Sequence, residues 1–98
     1  MSRVTFHRLA RRELTEAAEY FERQAPGRGD DFLDTTIAVA ELIRTMPQLG
    51  APGPSDTRRL PIGRFPYSLV YIIRKSGPQI VAIAHHRRRP AYWRDRLR

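Results

Sequence analysis

Cysteine is absent, so no disulfide framework and no thiolate metal site can form, and nothing ties the chain to an oxidising compartment. Histidine is scarce, with three scattered residues, and that spacing offers no metal site. No triad, P-loop or Gly-rich nucleotide motif occurs, and no cofactor is expected. No apolar run approaches the roughly 20 residues of a membrane span. The first residues are dominated by arginine and carry no apolar signal core, so a cytosolic location and no membrane partner are expected. Lysine is nearly missing too, with Lys75 the only one.

Acid is lacking over the second part of the chain. From Met1 to Thr57 there are 7 Arg against 9 acids, a net of −2; from Arg58 to Arg98 there are 10 Arg and 1 Lys against Asp95 alone, a net of +10. A field of that sign attracts nucleic acid or an acidic protein partner. Because nearly all of it is Arg, it suits bidentate pairing with phosphate or carboxylate. With 98 residues, 41% apolar and 29% charged, the chain is expected to be one domain over 1–98 with a thin core.

What is present is periodic. Arg3–His7 predicts a short strand, with Val4 and Phe6 on one face. Ala10, Leu14, Ala17, Ala18, Phe21 and Ala25 form the apolar stripe of a helix over Arg8–Gln24, with Glu19 placed to pair Arg23, and Pro26-Gly27 ends it. A second helix begins near Asp30, with Phe32, Thr36, Val39, Ala40 and Ile43 inward and Leu33 and Ile37 widening the stripe. The short connection makes the two an antiparallel hairpin. Gln48–Thr57, rich in Gly and Pro, reads as a loop.

Three strands follow. Arg58–Ile62 is an edge or bulged strand because of Pro61. Tyr67–Arg74 is central: Tyr67, Leu69, Tyr71 and Ile73 share one face, Val70 and Ile72 the other. Ile80–His86 returns after the Ser76-Gly77-Pro78 turn. The order is β-α-α-β-β-β, an α+β fold of two layers with the hairpin on a mainly antiparallel sheet. Phe21, Ile37, Leu69 and Tyr71 are expected between the layers. The other sheet face must be partly open or covered by a partner.

Local motifs go further. Ala10, Glu13, Leu14 and Ala17 spell A-x-x-E-L-x-x-A after the opening strand, and Tyr20 precedes the Pro-Gly turn. Met46-Pro47 with Gly50, then Arg58-Arg59-Leu60, Arg64-Phe65-Pro66-Tyr67 and Val70-Tyr71 follow. His85 and His86 end the last strand, with Arg88, Pro90, Tyr92, Trp93 and Arg96 beyond. In this order, over nearly the whole chain, the segments resemble the RelE/ParE toxin superfamily, and more closely its ParE and plasmid-stabilisation branch.

The resemblance implies a growth-inhibiting toxin of a type II toxin–antitoxin system, bound and silenced by a labile antitoxin in a hetero-oligomer. ParE-like members poison DNA gyrase; RelE-like members cleave messenger RNA in the ribosomal A site. RelE-like sites lean on lysines after the second helix, and here Lys75 is the only lysine, so a ParE-like gyrase inhibitor without catalysis of its own is the first expectation. A ribosome-dependent endoribonuclease is the alternative, and a non-toxic basic nucleic-acid-binding module the third. The antitoxin segment expected is acidic and partly disordered.

A nuclease needs a base, an acid and cations for the phosphorane; His85, His86, Tyr92, Arg64 and Arg88 are the candidates. Adjacent strand residues point to opposite faces, so only one of His85 and His86 can enter a given cleft. For target or nucleic-acid binding the candidates are Arg58, Arg59, Arg64, Arg87, Arg88, Arg89, Tyr92, Trp93 and Arg94. Tyr92 and Trp93 either stack on bases or, with Trp93 as anchor, hold a C-terminal lid on the core.

Overall fold

The computed structural model describes residues 3–98. Its elements are β1 (Thr5–Phe6), α1 (Arg8–Gln24), α2 (Arg28–Thr45), β2 (Ala51–Pro52), β3 (Arg58–Pro61), β4 (Tyr67–Arg74) and β5 (Gly77–His85), with single 3-10 turns at Pro54–Asp56 and Arg94–Leu97. The five strands form one sheet in the order β1-β5-β4-β3-β2, antiparallel except where β1 runs parallel to β5. The expected α+β architecture is therefore present, with one strand added.

The first helix starts at His7, whose Nδ1 accepts the Leu9 amide at 3.0 Å, an N-cap hydrogen bond. It stops where the Ala25 amide closes on the Phe21 carbonyl and Gly27 turns left-handed at φ 86°. The Glu22 carboxylate accepts the amides of Gly27 and Gly29 and fastens this corner. A Cβ at Gly29 would lie 2.6 Å from the Ala18 carbonyl oxygen, so only glycine lets α1 and α2 close to this distance. α2 begins at Arg28, two residues before the expected Asp30.

Between helices and sheet, Phe21, Phe32, Phe65 and Tyr67 pack in mostly edge-on contacts, with Phe21–Phe32 centroids 5.1 Å apart. Ile43, Leu69, Tyr71, Ile80 and Ile83 complete this core. Ile37 does not join it: at 64% exposure it lies on the outer face of α2. Its position one residue past Thr36 turns it about 100° away from the stripe. Ile73, expected on the same face as Leu69 and Tyr71, is 45% exposed near the β4–β5 turn. Glu19 and Arg23 form no ion pair among the described residues; the pair on this helix is Arg12–Glu16.

The 48–57 segment is not all loop. Ala51 and Pro52 pair with Arg59 and Arg58 as β2. The segment is held by the buried Tyr71 hydroxyl, which donates to the Pro47 carbonyl at 2.6 Å and accepts the Gly50 amide at 2.9 Å. A side chain at Gly50 would collide with that hydroxyl.

A register shift beside Val70/Tyr71 pairs Tyr71 with Ile80 and Val70 with Ala82, leaving Val81 as an extra residue in β5. This bulge lets Ile80 and Ile83 share the helix side while Val81 and Ala82 both join the far side. There they meet Val70 and Trp93, flanked by Ile72, Ala84, Tyr92 and Leu97. The second sheet face is thus partly covered by the chain's own tail. No described helix is long and apolar enough to cross a membrane.

Candidate functional site

The tail is held by one acid. Glu13 projects from α1 to the edge of β5, beyond the point where the short β1 stops pairing at Ile80. Its Oε1 accepts the Ile83 amide at 3.1 Å. The Arg96 guanidinium meets the carboxylate through both arms, at 2.8 and 2.9 Å, and also donates to the Val81 carbonyl at 3.0 Å. The Tyr92 hydroxyl donates to Glu13 Oε2 at 2.8 Å. An acid and a base thus stand where a neighbouring strand would, and they occupy the backbone groups of an edge that would otherwise be open. Burial, then the hydrogen bond to Glu13, raise the Tyr92 phenol far above its ordinary range. The hydrogen bond to Glu13 likewise raises Arg96.

The tail and the 53–57 turn face each other across the sheet and enclose a cleft of about 180 Å³. Its floor is Ser68, Val70 and Ala84; Arg59 stands on one side, His86, Arg88 and Arg89 on the other. Arg59 is there because it pairs with Val70 in β3 and so shares its face. Ser68 Oγ is 3.0 Å from His86 Nε2. Arg88 stacks over the Tyr92 ring at 3.8 Å. Among the described residues three non-glycine positions have left-handed backbone: Ala91 lines the cleft, and Ser55 and Asp56 lie in the 53–57 turn whose Gly53, Pro54 and Thr57 line it. Each such residue costs about 1–2 kcal/mol and persists only where the surroundings impose it.

His85 and His86 are split, as strand alternation requires. His85 stacks edge-on against Tyr67 at 4.9 Å on the helix side, and its Nδ1 accepts the Arg87 amide. There it lines a second, open concavity of about 450 Å³ with Tyr20, Gln24, Arg28 and Pro66. Arg28 lies 5.1 Å from the ring centroids of Phe21 and Phe65.

The structure therefore brings Arg59, His86, Arg88 and Arg89 together. His85 borders both concavities, but its ring is stacked on Tyr67 and its Nδ1 is taken by the Arg87 amide; Arg64 is exposed on the β3–β4 turn, outside both concavities. Arg58 is engaged internally, donating to the Gln48 and Gly50 carbonyls. Arg87 and Arg94 are exposed. Trp93 is 6% exposed and anchors the tail, so its ring presents no stacking platform. Sequence reasoning overlooked Glu13 and Ser68. The signal for Glu13 was its place in A-x-x-E-L-x-x-A, three residues after the buried Ala10 and four before the buried Ala17. Among the described residues, no group of three or more His, Asp or Glu could hold a metal ion.

The model of the family described as the ParE toxin of the type II toxin–antitoxin system, parDE, matches residues 4–90. The chain belongs to the ParE toxin family. Among solved structures, a chain of the chromosomal ParDE TA system from P. aeruginosa is similar, with a TM-score of 0.75 at 19% identity, covering 87% of this chain and 96% of that one. At that identity the likeness concerns the fold. No curated protein matches. The part matched to the ParE family includes Glu13, Arg59, Ser68, His86, Arg88 and Arg89; Tyr92, Trp93 and Arg96, which close the cleft, lie past it.

Proposed function

We propose that this ParE family member is a cytoplasmic growth inhibitor that acts by docking on DNA gyrase, with no catalysis of its own. An acidic, partly disordered antitoxin segment neutralises it in a hetero-oligomer. Family membership supports the toxin reading. The observation that favours docking over catalysis is the dispersal of the acid–base groups. His85 is across the sheet from His86, and Tyr92 is committed to Glu13. General acid–base cleavage needs two such groups within reach of one phosphodiester. The exposed Ile37, Leu42, Met46 and Leu49 on α2 and the segment after it support a partner's apolar contact.

The second reading, a ribosome-dependent endoribonuclease, rests on the His86–Ser68 contact beside Arg59. Gyrase supercoiling and DNA-cleavage assays beside ribosome-primed RNA cleavage separate the two. The folded double variant His85→Gln with His86→Gln is expected to keep its toxicity in cells without antitoxin. Loss of both toxicity and RNA cleavage in that variant, against a wild type that cuts ribosome-bound messenger, would install the nuclease.

A further inference from the structure

The cleft under the tail carries cations, and the two aromatic residues on its lining, Tyr92 and Trp93, are already engaged within the fold. Arg59, Arg88 and Arg89 converge on it from opposite walls, and the His86 ring and the buried Ser68 hydroxyl add hydrogen-bonding groups at its base. Between Gly50 and Trp93 the only acid is Asp56, on the strained turn. Arg59 is placed on one side by its pairing with Val70 in β3, and Arg88 and Arg89 on the other by the tail segment that turns at the left-handed Ala91. An anion is the complementary occupant.

The kind of anion follows from what the aromatics do. Single-stranded nucleic acid is held by stacking of its unpaired bases on exposed rings. Here Trp93 is turned into the far-side cluster, and the Tyr92 ring lies under Arg88 with its hydroxyl on Glu13. A duplex needs no stacking, because its bases are paired and its phosphates face outward.

We infer that the Arg59–His86–Arg89 cleft binds a backbone phosphate of duplex DNA, so that the toxin grips the DNA held by its target as well as the target protein. This rests on the gyrase reading for its biological setting, but the binding itself is a property of the chain alone. Such contacts are independent of base sequence and act by displacing counterions, so affinity falls steeply with salt.

The test is fluorescence anisotropy of a labelled DNA duplex with the purified chain over a range of salt, without gyrase. Arg59→Ala and Arg89→Ala are each expected to weaken binding about tenfold. Each is also expected to lower the steepness of log affinity against log salt by about 0.9 per lost contact. Arg12→Ala, on the exposed face of α1, is expected to leave both nearly unchanged. Arg89→Glu, whose fold is checked by its melting temperature, is expected to abolish binding. Equal losses in Arg12→Ala and Arg89→Ala would mean only a diffuse field and would overturn the site, as would preference for the single strand or for RNA of the same sequence. Gyrase inhibition by the wild type with cleft-independent DNA binding sinks this inference alone. Cleft-dependent DNA binding with no effect on gyrase sinks the proposed target and leaves the site standing.

Discussion

The two faces of the sheet are built from the same strands and have opposite character. Toward the helices, β4 and β5 present Leu69, Tyr71, Ile80 and Ile83 to a continuous aromatic core. Toward the tail they present a smaller apolar group around Trp93 and, beyond it, a cationic cleft. The first face is closed by two long helices; the second is closed by a few residues after β5, fastened through Glu13. The larger apolar core is on one face and the cationic cleft on the other. The bulge at Val81 lets one strand serve both, since it puts the adjacent Val81 and Ala82 on the tail side and Ile80 and Ile83 on the helix side in place of strict alternation.

That division breaks most visibly at Phe21, whose ring touches Phe32, Phe65 and Tyr67. Phe21→Ala is expected to cost about 3–5 kcal/mol, a large share of the stability of a domain this small. Toxicity would be lost through unfolding. Denaturant titration measures it, and an unchanged midpoint would remove the helix-side core from its role.

Glu13→Ala strikes the other face from behind and leaves Arg96 and Tyr92 without their acceptor. A loss of about 2–3 kcal/mol is expected, because hydrogen bonds to charged groups in a largely buried setting are lost together. The network further predicts that Glu13→Ala with Arg96→Ala costs clearly less than the two separate changes combined. Strictly additive losses would show that the tail is held by Trp93 alone.

The smallest effect lies at the seam between the faces. Burial and the nearby Arg96 guanidinium lower the His7 pKa, helped by Arg8 and Arg74 and opposed by Glu13. The unfolded chain takes up this proton at its ordinary pKa of 6.5, before the folded chain does. Stability from His7 is therefore complete above that pH and declines as pH falls toward the lowered folded value. His7→Asn keeps a capping acceptor and is expected to flatten this part of the melting-temperature profile between about pH 8 and pH 5.5. A profile identical to that of the wild type would assign the slope to other groups.

Much of this was legible in residue order. The α1 stripe, the two faces of β4 and the separation of His85 from His86 follow from periods of 3.6 and 2. The α+β architecture follows from those elements. What escaped has physical causes. β2 is an Ala-Pro pair with no pattern of its own; it is a strand because Tyr71 and Arg58 hold its neighbours in place. Ile37 is apolar and exposed, and composition cannot tell that from core. Val81 breaks the alternation of β5 without any Gly or Pro to announce it. The cleft itself depends on Arg59 meeting Arg89, and the tail on Glu13 meeting Arg96. Such meetings across the fold are invisible to local spacing, so Arg58, deployed inside, and Arg59, deployed in the cleft, look alike in sequence.

The Glu13–Arg96 contact also sets an order of events in time. Its partners are 83 residues apart. Contacts of such long sequence separation require the intervening chain to be arranged first, and they slow folding. During synthesis the hairpin and the first strands can form while Arg96 does not yet exist. The wall that carries Arg88 and Arg89 can be fastened only after Arg96 has been added. A partly made chain can therefore hold its core before it holds its cleft.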